Sequence, residues 1–194
     1  MIILYQVPDD EKGKIVRDFF AKENIEYLEF AVESAGHTLG ELFKNNKEPM
    51  PHPAEQVPDE PAILFDEATT NQTEAAELLG TLEQAGVFFN YQVLVDANML
   101  DYPLGDILVG HRDYQLFLSK LGFLQQMIDG CGALKEENYD PDKWSELKII
   151  IANGNDFLDA VVSDTDSKFD DIKPEDVDKH ITDLQLAMKK LLAN

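Results

Sequence analysis

The side chains best placed to do chemistry follow apolar runs. Asp66 follows residues 62–65 (AILF), and Asp96, Asn98, Asp101 and Tyr102 follow residues 88–95 (FFNYQVLV). His37 stands just before residues 38–43 (TLGELF). Loops at strand ends are where open α/β folds hold ligands, and carboxylates clustered there could bind a divalent cation. Asp66, Asp96 and His37 are therefore the candidate groups of a metal-assisted enzyme, with Asp66 and Asp96 as its candidate metal ligands. His37, Asp96, Asn98 and Tyr102 are the candidate set for a small ligand. A receiver-like acidic pocket would add a strand-end Thr or Ser and a strand-end Lys, which the sequence does not supply at those positions. Aspartates also cap helices and close turns, and a histidine without a partner at motif spacing is more often a cap or a surface residue than a general base.

Other stretches imitate known chemistry and lack its remaining parts. His111, Arg112 and Asp113 spell a kinase catalytic loop, but there is no glycine-rich loop or DFG element. Residues 164–175 (DTDSKFDDIKPE) put acids at positions one, three, seven and twelve of a calcium loop; Lys168 at position five and Phe169 in place of the turn glycine oppose that use. A phosphate cradle at TLGELF, or at residues 103–108 (PLGDIL), would need several glycines and a nearby lysine. Pro58 and Pro61 form a PxxP pair without flanking Arg or Lys. His52, in the proline-rich stretch, and His180, beside Lys179, read as solvated. No cofactor is implied.

The totals narrow the function classes. Across 194 residues, 38 acidic and 16 basic side chains give a net charge of -22. Residues 133–194 hold 15 acidic and 8 basic groups, leaving 23 and 8 for residues 1–132, so the acidity is spread over the body of the protein. Phosphate-backbone affinity comes from Lys and Arg, which argues against nucleic acid and anionic membranes and leaves a basic protein as the electrostatically matched partner. Cys131, the single cysteine, permits no intrachain disulfide and fits a reducing compartment. The first residues (MIILYQVPDDE) lack a basic region, and no apolar stretch is long enough to span a bilayer. The expectation is a cytoplasmic protein.

The elements that must position these groups come in two similar sets. Residues 2–7 (IILYQV) read as a strand, 12–23 as a helix closed by Asn24, 25–32 as a strand, and TLGELF as a short helix with a Thr38–Glu41 capping box. Residues 49–61 contain five of the nine prolines and read as an extended connector. Then 62–65 read as a strand, a helix follows a cap at Asn71 or Thr73 with Glu74 at box spacing, 88–95 read as a strand, 96–101 as a loop, and PLGDIL as a second short helix. The offset is 60 residues from Ile3 to Ile63 and 65 from Leu39 to Leu104, so an internal duplication accounts for the repeated Leu-Gly-acid-aliphatic core. Gly40 and Gly105 read as allowing each short helix to lie close to the sheet. Each strand–helix–strand set implies two parallel strands joined by a right-handed crossover. From 113 onward the pattern is helical: 114–128 ending at Gly130-Cys131-Gly132, a helix capped by Asp140 with Pro141 at its first position, with Asn153-Gly154-Asn155 as a point of interruption, and a last helix from Pro174.

The pieces EPAILF, the following helix, QVLVDAN and the Leu-rich segment after it resemble an uncharacterised bacterial family known only as a domain of unknown function. The likeness covers roughly the first 110 residues. Where that family carries a Lys in the second strand and Thr and Asn before a Trp, this chain has Gln92, Asp96, Asn98 and Tyr102. The resemblance implies an architecture and no activity.

The sequence thus predicts an α/β fold of two βαβ-plus-short-helix halves forming a four-stranded sheet, followed by an all-helical extension. The boundaries are 1–48, 49–61 for the connector, 62–112 and 113–194. The expected function is a non-enzymatic binding or regulatory module with a small-ligand cleft between the halves, near His37, Asp96, Asn98 and Tyr102. The alternatives are the metal-assisted enzyme and an acidic interaction module for a basic partner. The apolar helices at 114–128 and 144–162 offer a surface for a homo-oligomer.

Overall fold

Strand β1 (Ile2–Tyr5) is apolar on both faces because it is covered on both. Ile3 and Tyr5 enter one core cluster and Ile2 and Leu4 another, as side-chain alternation along a strand demands. In the computed structural model, which describes residues 1–53, 57–163 and 174–193, β1 is a central strand of a sheet ordered β2-β1-β3-β4, with β2 at Tyr27–Phe30, β3 at Ala62–Asp66 and β4 at Tyr91–Val95. β1 and β2 are parallel, β3 and β4 are parallel, and β1 and β3 run antiparallel, pairing Ile3 with Leu64 and Tyr5 with Ala62. The protein is therefore mixed α/β with a mixed four-stranded sheet.

Helices α1 (Glu11–Glu23) and α3 (Gln72–Gln84) cover one face. Val16, Phe20, Ala75 and Leu82 pack there against Ile2, Leu4, Ile63 and Phe65. α1 starts where Asp10 accepts from the Gly13 N–H and stops at Asn24, whose left-handed backbone closes the last turn. The Asn71–Glu74 capping box starts α3. The other face carries α2 (Leu39–Phe43) and the first turns of α4 (Leu104–Cys131), whose Leu39, Leu42, Leu104 and Leu108 are fully buried. Each of these leucines contributes about 1.5–3 kcal/mol by leaving water.

Several elements differ from the sequence expectation. PLGDIL is not a short helix: it opens α4, which is continuous for 28 residues. A lone Gly110 costs about 1 kcal/mol relative to alanine, and no proline or cap intervenes to stop the helix. The segment 96–101 contains a 3₁₀ turn at Ala97–Met99. The offset of 60 between Ile3 and Ile63 is a one-residue slip, because Ile3 belongs to the α2/α4 side and Ile63 to the α1/α3 side. An odd offset such as 61 matches Ile3 with Leu64 and keeps the faces of β1 and β3.

By its internal contacts the chain forms two compact units, Met1–Asp113 and Tyr114–Asn194. In the second, α5 (Pro141–Ser163) and α6 (Pro174–Leu192) pack with the later turns of α4 around Phe117, Leu124, Ile128, Trp144, Leu147, Leu184 and Leu191. Asp140 accepts from the N–H groups of Asp142 and Lys143, as its sequence position predicts. Asn153-Gly154-Asn155 does not interrupt α5, because Gly154 is buried against the Ile128 side chain, where a larger residue would collide. Among the described residues no helix is long and apolar enough to cross a membrane.

Candidate functional site

Of the candidate residues, His37 and Tyr102 lie where the two halves meet on the α2/α4 face. Four backbone hydrogen bonds close that seam. Leu39 N–H donates to the Tyr102 carbonyl (3.0 Å) and Leu104 N–H to that of His37 (2.9 Å); Gly40 N–H donates to Leu100 (2.9 Å) and Gly105 N–H to Ala35 (2.8 Å). Under the 65-residue offset between Leu39 and Leu104, each bond is its partner's counterpart. The glycines admit different neighbours from those expected. A Cβ on Gly40 would sit 3.2 Å from the Leu100 carbonyl oxygen, and one on Gly105 would run into the His52 ring at 2.5 Å.

His37 is 4% exposed, and both its ring nitrogens face acceptors. Nδ1 meets Glu41 Oε2 at 3.2 Å and Nε2 meets the Glu48 carbonyl at 2.6 Å. Since a carboxylate and a carbonyl can only accept, this geometry suits the doubly protonated ring. The Glu48 carbonyl, with smaller help from Glu41, raises the His37 pKa above the ordinary histidine value, although burial opposes the charge. Glu41 is held below the usual carboxylate range, first by the Thr38 N–H and then by His37. The same carboxylate completes the Thr38 capping box. His37 is thus the clamp between α2 and the segment after it. Met50 tightens the same attachment through Met50 N–H to Glu33 and Gly36 N–H to Met50, both 2.7 Å.

The other candidates have separate structural partners. Asp96 accepts from the N–H groups of Asn98 (2.7 Å) and Met99 (3.1 Å), while Asn98 and Tyr102 are exposed, Tyr102 at 56%. Asp66 accepts from the Ala68 N–H at 3.0 Å. Asp66 and Asp96 share one end of the sheet, since Asp66 pairs with Val95, whereas His37 lies at the seam on the helix-covered face. Among the described residues no group of three or more His, Cys, Asp or Glu side chains is arranged to hold a metal. The calcium-like run lies outside the described residues through residue 173.

Three histidines have uses that the sequence did not disclose. His52 is not solvated: its side chain is 8% exposed and its Nε2 lies 3.0 Å from Asp106 Oδ1. His180 stacks on Phe157 with centroids 4.5 Å apart. His111 meets the Tyr91 ring edge-on at 5.6 Å, and its burial lowers its pKa; the neighbouring Arg112 bonds Asp113. Only long-range pairing could have revealed these contacts.

A shallow, open groove lies on the opposite face, between α1 of one half and α3 of the other. Its volume is about 540 Å³, and Phe19, Ile25 and Leu78, with Glu23, Glu74, Glu77 and Thr81, line it. A second, about 250 Å³, runs between α3 and β4 and is lined by Phe65, Ala75, Ala76, Leu79, Gln92 and Leu94, among others. One sequence signal for these surfaces was missed. Residues 62–111 carry Asp66, Glu67, Glu74, Glu77, Glu83, Asp96, Asp101 and Asp106 and no Lys or Arg, net -8, whereas residues 1–48 carry ten acidic and six basic groups, net -4. No protein-family model matches the chain, and no curated protein or solved structure matches it.

Proposed function

We propose that the protein is a non-enzymatic binding module of the cytoplasm whose ligand site is the α1/α3 groove rather than the region of His37, Asp96, Asn98 and Tyr102, and that it takes a small ligand with a cationic head and an apolar body. The observation that carries this is the lining. Half-buried Phe19, Ile25 and Leu78 offer an apolar floor, and Glu74 and Glu77 set negative charge beside it, while Glu23 pairs with Lys22 at 3.3 Å. Apolar contact supplies affinity while the carboxylates choose the sign of the charge. A binding role is also favoured by His37, Asp66 and Asp96, whose polar atoms are engaged in clamping and capping bonds rather than converging on one point. The cytoplasmic placement rests on a single cysteine, Cys131, which is buried.

Titration of the protein with 4-phenylbutylamine tests this. Binding should weaken with salt and be lost in Leu78→Glu and in Glu77→Lys. Equal binding of phenylbutyrate would contradict it.

Two readings accompany this one. The exchange-related seam bonds support an internal duplication; a single half should then pair with itself through its β1-like strand, and a strictly monomeric half would count against it. Leu116 and Phe123, seven residues apart on α4 and 55% and 47% exposed, support self-association of the second unit. A monomeric mass at high concentration would overturn that.

A further inference from the structure

The sheet ends at β4, and among the described residues no strand lies beyond it. An uncovered edge presents N–H and C=O groups that can pair with another extended chain, and proteins ordinarily guard such edges with charge, proline or a bulge. The two edges here differ. β2 carries Glu29, tied to Arg17 by a 2.6 Å ion pair. β4 reads Tyr-Gln-Val-Leu-Val, without charge or proline, and pairs with β3 in unbroken register. Beside it runs the 250 Å³ hollow floored by Phe65, Ala75, Leu79 and Leu94.

We propose that the β4 edge is a docking site for an extended segment of another protein, with apolar residues at alternate positions and Lys or Arg at the end that meets Asp66, Glu67 and Asp96. Each feature of that segment has its counterpart on the surface. The edge asks for an extended backbone. An added strand sends alternate side chains toward the α3 face, where the hollow is apolar. Asp66, Glu67 and Asp96 stand where β3 and β4 end, in a stretch (residues 62–111) with no Lys or Arg, so the charge of the segment beside them is positive. A second copy is disfavoured as the occupant of this edge, since its own β4 segment lies in a stretch (residues 62–111) that offers no Lys or Arg to Asp66, Glu67 and Asp96. This site stands apart from the α1/α3 groove, which lies on the other side of α3.

The test uses the full chain and a synthetic peptide of alternating valine and threonine with lysines at both ends. The peptide should bind, and N-methylation of its backbone at alternate residues should weaken binding at least about tenfold through lost hydrogen bonds, at about 1.4 kcal/mol per factor of ten. Gln92→Lys, a charge on an exposed edge position, should do the same while leaving the melting temperature near that of the wild type. Glu77→Lys should abolish amine binding in the groove and keep peptide binding, which separates the two sites. Undiminished binding of the N-methylated peptide, absence of any binding, or a dimer that Gln92→Lys dissolves would each overturn the proposal.

Discussion

The two halves of the first unit present the same elements in the same order to one sheet, yet they diverge after the second strand of each. In the first half the residue two before the Leu-Gly pair is His37, buried and held at both nitrogens, and helix α2 ends after five residues. In the second half that residue is Tyr102, 56% exposed, and α4 continues for 28 residues. The backbone bonds across the seam are nevertheless equivalent. Main-chain geometry therefore holds the seam, and the side chains that differ are free to serve separate purposes. At the seam the first half serves for fastening, while its Phe19, Glu23 and Ile25 line one side of the α1/α3 groove. The second, without a single Lys or Arg over residues 62–111, presents the acidic groove wall and the open edge.

The largest effects are expected in the core, where the halves should behave alike. Leu39→Ala and Leu104→Ala, both fully buried counterparts, should each cost about 2–5 kcal/mol in urea unfolding. A cost for one and none for the other would show that the halves do not share the seam.

The clamp is next in size. His37→Gln should cost about 1 kcal/mol in mildly acidic solution, because a charge-assisted bond between the buried ring and Glu41 or Glu48 is lost, whereas Tyr102→Ala should stay within about 0.5 kcal/mol. The sign with pH is set by the raised pKa of His37. Its contribution is complete below the ordinary histidine value and fades as pH rises through the raised one, so the difference between wild type and His37→Gln should narrow toward alkaline pH. A difference independent of pH would contradict a charged clamp.

A smaller asymmetry lies at Tyr5, whose hydroxyl donates to the Pro58 carbonyl at 2.9 Å. Burial, helped by Asp59, Glu33 and Glu60, pushes its pKa up to about 12. Stability from this group is complete below the ordinary tyrosine value and is lost as pH rises toward about 12. Tyr5→Phe should cost about 1 kcal/mol and remove the last-ionising phenol from an ultraviolet titration. The smallest effect is at the caps: Thr38→Ala should cost about 1 kcal/mol, and Pro103→Ala, which breaks no side-chain bond, only a few tenths.

The range of each interaction decided whether the sequence could disclose it. Local signals sufficed for the Thr38–Glu41 and Asn71–Glu74 boxes, the Asp140 cap and the α6 start at Pro174, since capping partners lie within three residues. The order of strands and helices was legible from apolar periodicity. The antiparallel join of β1 to β3 was not, nor was the face of each residue, because sliding a strand by one position reverses every side chain. The same limit hid the uses of the candidate site. His37 reads from the sequence as a cap or as a ligand candidate; Glu41, four residues on, is a local partner, but the Glu48 carbonyl is eleven residues away. His52 and Asp106 meet across 54 residues. Asp96 was visible as a capping residue and serves as one.

If binding belongs to the surfaces of α3 and its neighbours, while the seam around His37 fastens the fold, the two regions should respond differently to a ligand. Mapping the backbone amide shifts of the full chain during titration with 4-phenylbutylamine tests this division most directly. Saturable shifts are expected in residues 19–25 and 74–81, with little change at Gly36, Leu39, Asn98 and Tyr102. Shifts centred on those four residues, or confined to residues 114–193, would contradict it.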